Sequence, residues 1–176
     1  MSTSTTPTNA AVQVSSTRQQ LINAFDRETA TTQKVLRAYP ADQAELKPHP
    51  RLRSARELAW MFAAELNLAN LVLRNEFKMP MKFPPTPATW DEVVRAFDRT
   101  RTEVLQNLHS VREEQLAEIT QFITGPKQIG DMTKTSLLWF LLHDQIHHRG
   151  QLTVYLRMAD GKVPSIYGPS ADEPWN

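Results

Sequence analysis

The sequence contains no cysteine, no marked excess of either charge and no long hydrophobic run. The absence of cysteine excludes disulfides, thiolate zinc sites and cysteine nucleophiles, so any metal site must use His, Asp or Glu. Thiol chemistry would need a thiol from outside the chain. Lysines and arginines number 20 against 19 aspartates and glutamates, and this balance lacks the basic footprint of a nucleic-acid-binding protein.

Length and hydropathy bound the class of protein. The 176 residues are enough for one domain with a substantial core. No segment has the length and hydrophobicity of a membrane span, and the N-terminus lacks the pattern of a secretory signal, so the sequence predicts a cytoplasmic protein. Residues 1–15 are rich in Ser and Thr without apolar periodicity and are predicted to be a disordered tail, which leaves 16–176 as the domain.

Apolar residues recur at helical spacing in four segments, which predicts an all-α four-helix bundle. Ser54 with Glu57, and Thr89 with Glu92, have the spacing of capping boxes and mark the starts of two helices. Pro40 ends the first helix. The predicted helices span residues 16–39, 54–75, 89–109 and 133–159.

Two further expectations concern β-branched and aromatic residues. Ile119–Ile123 is rich in both types and is followed by Gly125 and Pro126, which predicts a short strand or hairpin between the third and fourth helices. The large aromatic side chains that lie on apolar stripes are expected to be mostly buried. They are Trp60, Trp90, Phe97, Trp139 and Phe140.

The fourth predicted helix is apolar on two sides. One side carries Leu138, Leu141, Leu152 and Leu156. The other carries Phe140, Gly150, Val154 and Met158 together with two histidines, His143 and His147. A helix that is apolar all round is expected to be buried all round. The leucine side can pack into the bundle, and the second side predicts either a homodimer interface or a surface that loops and the C-terminal residues cover.

His143 and His147 are the first candidates for a functional site. Residues four apart on a helix project from the same face, so both imidazoles can reach one divalent metal ion. The alternative is that both rings hydrogen-bond to neighbouring polar side chains in the core. The adjacent His148 points to another face and is expected to be a surface or interface residue.

Such a site needs a third ligand from a facing helix. Glu65 stands where the apolar stripe of the second helix predicts a hydrophobe, and an inward carboxylate would complete a site of two histidines and one carboxylate. Alternatively, Glu65 reaches solvent or pairs with Arg149 or Arg157. Met61 lies one turn earlier on the same face, but a thioether is a poor ligand for hard or borderline cations. The predicted metal ligands are His143, His147 and Glu65.

Three segments of the chain resemble the DinB/YfiT-like superfamily. They are HDQIHHRGQLTVYLR at 143–157, GKVPSIYGPSADEP at 161–174 and KPHPRLRSARELAW at 47–60. The resemblance implies an up-down-down-up four-helix bundle, usually a homodimer. It also implies a divalent metal ion, with zinc or nickel expected, held by three histidines. Some members of this superfamily are transferases or isomerases that use low-molecular-weight thiols.

The resemblance carries over to individual residues only in part. His143 and His147 match two of the three histidines, whereas the family's second helix has Trp-His or Leu-His where Trp60 is here followed by Met61. The resemblance therefore implies a site that lacks its third histidine, with Glu65 or water in its place. The loss of that ligand also weakens the case for thiol transfer, because the metal would hold the thiolate.

Two classes of function follow from these residues. The first is a metal-dependent enzyme, a thiol-using transferase or a hydrolase, that acts at His143, His147 and Glu65. The second is a non-catalytic dimeric bundle that keeps a degraded metal site and binds a small ligand or serves a structural role. The histidine pair favours the first class, and Met61 favours the second.

Overall fold

The computed structural model describes residues 15–175, which form a helical bundle with one small sheet. The elements are α1 Thr17–Ala38, a 3-10 turn Ala41–Gln43, α2 Ala55–Leu73, α3 Trp90–Ser110, α4 Glu113–Leu116, β1 Ile119–Gly125, β2 Gln128–Thr133 and α5 Lys134–Met158. Helix α2 packs against α3 and α5, and α1 packs against the same two helices. The four long helices confirm the predicted bundle, and each begins and ends within two residues of its predicted span.

The helix starts confirm the predicted capping boxes. The Ser54 Oγ accepts a hydrogen bond from the Glu57 N–H at 3.2 Å, and a Glu57 carboxylate oxygen accepts one from the Ser54 N–H at 2.7 Å. Thr89 and Glu92 make the same reciprocal pair at the start of α3. These bonds satisfy backbone donors that the first helical turn leaves free, which is why both helices begin where the sequence pattern places them.

Strands β1 and β2 form the predicted hairpin, an antiparallel pair that lies over the start of α5. The Phe122 side chain is its buried anchor and packs edge to face on Phe140 of α5 with 5.6 Å between ring centroids. At the base of the hairpin, the Lys134 ammonium pairs with the Glu118 carboxylate at 2.5 Å and also contacts the Asn75 side chain. The hairpin is therefore fixed against one end of the bundle, beside α2 and α5.

The predicted burial of large aromatics is right for two residues of five. Trp90 and Phe97 are buried in the core. Trp60 and Trp139 are only half-buried. The expectation for Phe140 is wrong, since 47% of its surface is exposed. Phe140 lies on the second apolar side of the fourth predicted helix, and that side faces away from the bundle.

The two sides of α5 have different environments. The leucine side is buried against the other helices. On the second side, Val154 and Met158 are 57% and 52% exposed, and His143, His147 and Gly150 are also exposed. The expectation that this helix is buried all round is therefore wrong within a single chain, because the described loops and C-terminal residues leave its second side open.

A buried ion pair joins α1, α5 and the C-terminal segment. The Arg149 guanidinium is 1% exposed and donates to the Glu28 carboxylate at 2.7 Å and to the Glu28 carbonyl at 2.9 Å. The Tyr167 hydroxyl donates to the same carboxylate at 2.6 Å. Burial raises the pKa of Glu28, but hydrogen bonds from Tyr167, Arg149 and Arg27 hold that pKa below its usual range. Glu28 is thus a carboxylate whose charge is fully partnered.

Two sequence expectations concern the chain as a whole. The predicted tail, residues 1–15, lies outside the described residues except for Ser15. None of the helices in residues 15–175 combines the length and hydrophobicity that a membrane span requires.

Candidate metal centre

Glu65 is a buried carboxylate that accepts no hydrogen bond. It lies on α2 with 2% of its surface exposed, and neither of its side-chain oxygens accepts a hydrogen bond. A charged carboxylate in such a place carries a large desolvation cost unless a cation or donor is supplied. Glu65 therefore carries a proton, pairs with a protonated His148, or shares its site with a cation that is not part of the chain.

Two side chains of α5 face this carboxylate. Asp144 and His148 are four residues apart and project from the same side of the helix. The His148 Nε2 lies 3.6 Å from the Glu65 Oε1 and 3.7 Å from the Asp144 Oδ1. One ligand atom from each of the three residues lies within 4.8 Å of the other two. No other group of three or more His, Asp or Glu residues in 15–175 meets this criterion.

The environment of Glu65 favours its neutral form. Burial raises its pKa to about 9, and the negative charge of Asp144 raises it in the same direction. The Arg53 guanidinium opposes this shift but does not cancel it. At neutral pH Glu65 thus holds a proton unless a cation replaces it. A divalent ion is a cation of the right kind, because it compensates both carboxylates at once.

Side chains behind His148 orient its ring. The Nδ1 of His148 lies 3.3 Å from the Gln151 Oε1, and the Gln151 amide nitrogen lies 3.0 Å from the His147 Nε2. An amide oxygen only accepts hydrogen bonds, so Nδ1 is the donor in this contact. In the neutral ring, Nε2 then presents its lone pair to Glu65 and Asp144. Metal-ligating histidines are commonly held in this way by a hydrogen bond at the other nitrogen.

An apolar cavity of about 230 Å³ opens beside the two carboxylates. Glu65 and Asp144 are its only charged lining residues. The apolar lining comes from α2, the loop before α3, strand β1 and α5. These residues are Met61, Leu68, Met81, Phe83, Phe122, Ile123, Phe140 and Leu141. His148 does not line the cavity, so an ion held by the three side chains would have the cavity on its carboxylate side.

Polar contacts hold the loop that forms one wall of the cavity. The Trp60 indole N–H donates to the Pro84 carbonyl at 3.0 Å, and the Arg56 guanidinium donates to the Pro87 carbonyl at 2.5 Å. Both donors are on α2, so the loop is laid along the same helix that carries Glu65. Phe83, which precedes these anchored prolines, is consequently placed at the mouth of the cavity with 47% of its surface exposed.

The structure separates the predicted ligands. Glu65 points inward as predicted, but His143 and His147 are exposed on the outer side of α5, so the prediction that they point toward α2 is wrong. His143 packs against the Trp139 ring at 5.9 Å between centroids. The residues that join Glu65 are instead Asp144 and His148. The expectation that His148 is a surface residue is also wrong, since only 14% of its side chain is exposed and it faces Glu65.

The remaining alternatives for Glu65 are settled by its neighbours. Arg149 pairs with Glu28, and Arg157 pairs with Asp172, so neither partners Glu65. Met61 lines the cavity beside the carboxylates, and the α2 residue that faces the α5 side chains is Glu65, one turn later.

The sequence does contain a signal for Asp144 and His148. Residues 141, 145, 148 and 152 follow the spacing of one helical face, and Leu141, Gln145 and Leu152 are all buried. His148 lies on that face, and Asp144 is at its edge. His143 and His147 were predicted as ligands from their residue type and spacing. The buried positions of α5 instead mark the face on which His148 lies.

Comparison with known proteins agrees with this bundle. A model of the DinB family matches residues 1–175 of the chain. The chain belongs to the DinB family. Its relatives include YrdA, an uncharacterized protein of Bacillus subtilis strain 168, which is 27% identical over 158 residues, or 89% of this chain and 92% of YrdA. The resemblance seen in the HHRGQL segment is thereby confirmed.

Two solved structures share the fold of this DinB-family protein. A DinB-like protein from Bacillus cereus ATCC 10987 aligns with a TM-score of 0.71 and 24% identity, over 85% of this chain and 97% of that one. The DinB-like protein YjoA from Bacillus subtilis aligns with a TM-score of 0.64 and 20% identity, over 84% and 97%. At these identities the likeness establishes the helical bundle and leaves the chemistry to the residues of this chain.

Proposed function

We propose that this protein binds one divalent metal ion between Glu65, Asp144 and His148 and presents it to a ligand in the adjoining cavity. The observation that carries the proposal is the Glu65 carboxylate, which is 2% exposed and has no hydrogen-bond partner. Two ligand atoms at about 2.1 Å from an ion in tetrahedral geometry lie about 3.4 Å apart. The two distances from the His148 Nε2, 3.6 Å and 3.7 Å, are close to that value.

The composition of the ligand set bears on which ion binds. Two carboxylates and one imidazole form a harder set of ligands than three imidazoles. Manganese prefers hard oxygen ligands, so it suits this set better than it suits a site of three histidines. Zinc and nickel were expected from the family resemblance, and zinc is compatible with this set. We propose zinc or manganese as the ion, and the two carboxylates would neutralise its charge.

The bound ion would leave positions free for chemistry. Three protein ligands leave at least one coordination position of a divalent ion open, and such an ion acts as a Lewis acid and lowers the pKa of a bound water or thiol. In the chain itself, Gln151 orients His148, and the apolar lining limits access of bulk water to Glu65, which is 2% exposed. A hydrolase or transferase that acts on a ligand in the cavity is the activity that this arrangement supports best.

Metal titration by isothermal calorimetry, on protein purified without an affinity tag, tests the proposal. We expect one zinc or manganese ion per chain. The His148→Ala variant should bind at least 10-fold more weakly, because one of three strong ligands is lost. The matched control is His143→Ala/His147→Ala, which removes two imidazoles from the same helix but no proposed ligand. This control should keep its affinity, with a small loss from the contact between His147 and Gln151.

The two variants separate the proposed site from the histidine pair predicted first. Loss of binding in His143→Ala/His147→Ala with binding retained in His148→Ala would place the ion on the outer side of α5 and overturn the proposal. Binding of neither zinc nor manganese by the wild-type protein would instead favour the second class of function, a bundle that takes a small ligand without metal.

A homodimer stays a prediction that rests on the exposed second side of α5. Val154 and Met158 are 57% and 52% exposed there, next to the exposed His147 and Gly150. A second copy of the chain is the partner that the resemblance implies. We expect light scattering to give twice the mass of 20.1 kDa, and Val154→Asp to shift the protein toward the monomer. A mass of one chain for the wild type would contradict the prediction.

A further inference from the structure

The cavity beside the proposed metal site has a composition that selects its ligand. Its polar lining is limited to Glu65 and Asp144, and the remaining lining residues are apolar. If both carboxylates hold an ion, no charged side chain of the lining is left to bind a polar group of the ligand. The part of the ligand that lies in the cavity must therefore be apolar, and its only polar anchor must be the metal.

The size of the cavity limits that apolar part. A closed apolar cavity of about 150 Å³ is enough to hold benzene. The present cavity, at about 230 Å³, is larger by a small substituent or a coordinating group. A ligand with one ring and a short head group matches this volume, whereas a two-ring system or a long alkyl chain would extend beyond the mouth.

The shape of the walls favours a ring over a chain. Phe122 and Phe140 meet edge to face, with 5.6 Å between centroids, and Phe83 lies across the mouth. Met61 and Met81 add polarisable sulfur to the lining. Aromatic rings and thioethers both make favourable contacts with the face or edge of a further aromatic ring, and alkyl chains lack this preference.

From these observations we infer that the site takes a small aromatic compound whose oxygen-donor group coordinates the ion and whose ring occupies the cavity. The inference rests on the proposed metal site and names the class of ligand for it. Aryl carboxylates and related aryl chelators have the required chemistry. The Glu65 carboxylate, which is 2% exposed and accepts no hydrogen bond, lines the cavity and marks where the head group must lie.

A pair of hydroxamates tests the inference on metal-loaded protein. Acetohydroxamate and benzohydroxamate chelate a metal through the same two oxygens and differ only in a methyl or a phenyl group. We expect benzohydroxamate to bind at least 10-fold more tightly, because its ring is removed from water in the cavity. Neither compound should bind with comparable affinity when the ion is removed with a chelator, since the cavity then lacks its polar anchor.

A variant at the mouth of the cavity, the rim variant, tests whether the preference for the phenyl compound arises in the cavity. Phe83 and Ile123 are 47% and 48% exposed, so Phe83→Ser/Ile123→Ser removes apolar surface from the mouth without opening the core. This variant should keep its affinity for metal and for acetohydroxamate, and the preference for the phenyl compound should fall to about threefold or less. Leu52→Ser is the matched control, because Leu52 is 46% exposed and does not line the cavity.

The outcomes distinguish this inference from the proposed function. Equal affinities for the two hydroxamates on protein that binds metal would overturn the ligand class and leave the metal site standing. A phenyl preference that persists unchanged in the rim variant, or binding of benzohydroxamate that does not need metal, would overturn it as well. If calorimetry shows no metal bound to the wild type, both the proposed function and this inference fail.

Discussion

Replacing Glu65 with glutamine should stabilise the metal-free protein at pH 8 by an amount on the order of a few kcal/mol. The pKa of Glu65 is about 9 in the folded protein, against an ordinary value of 4.5. Between these values the folded state holds a proton that the unfolded state has released, so the stability of the wild type falls as pH rises through this window. Glutamine has nearly the same shape and no proton to lose, so the variant escapes this fall.

Urea unfolding in the presence of a chelator, at pH values from 4 to 9, measures this effect. The two proteins should differ little near pH 4 and diverge as pH rises. Glu57→Gln is the control on the same helix: Glu57 has a lowered pKa, chiefly from its hydrogen bond to the Ser54 backbone, so its contribution is present above the unfolded pKa and is lost as pH falls. Parallel curves for the wild type and Glu65→Gln would show that Glu65 is not a buried carboxylate.

Metal should reverse the order of the two proteins. A saturating divalent ion binds only the folded state and needs the ionised Glu65, so it should raise the melting temperature of the wild type far more than that of Glu65→Gln. The variant should therefore be more stable without metal, and the wild type more stable with it. This reversal is expected if Glu65 binds the ion but destabilises the metal-free protein.

Replacing Arg149 with methionine should lower the free energy of unfolding by about 3 to 5 kcal/mol. The substitution leaves the Glu28 carboxylate buried, 3% exposed, without the buried cation that lies 2.7 Å away in the wild type. The remaining cation is Arg27 at 3.0 Å, whose side chain is 71% exposed and therefore screened by solvent. A buried charge that loses its buried partner is among the most destabilising changes in a protein core. The Tyr167 hydroxyl, which donates to the same carboxylate at 2.6 Å, cannot replace the positive charge.

Chemical denaturation of matched variants separates this buried pair from ordinary surface charge. Arg157→Met is the control, since Arg157 is on the same helix but its ion pair with Asp172 is solvent-exposed, and its effect on stability should be small beside that of Arg149→Met. Adding Glu28→Gln to Arg149→Met should recover part of the loss, because the unpaired charge is removed. Equal effects of Arg149→Met and Arg157→Met would contradict the role assigned to the pair.

Secondary structure and the inward carboxylate of α2 could be predicted from local pattern. Capping residues at 54 and 89, the proline at 40 and the helical spacing of apolar residues act within a few residues of each other, so they are visible in the sequence. Glu65 was recognisable because a carboxylate interrupts an apolar stripe. The rotation of α5 was not predictable to the same degree, because that helix is apolar on two sides and either could face the bundle.

The sequence by itself determined the helical class, the ends of the helices, the hairpin, the family and the inward position of Glu65. Tertiary structure decided which side of α5 faces α2, and with it the exchange of His143 and His147 for Asp144 and His148. It also placed Arg149 opposite Glu28 rather than Glu65, and brought the loop and the hairpin together as walls of one cavity. The physical reason is that capping and periodicity are local, whereas the choice between two apolar faces depends on packing against residues more than 70 positions away.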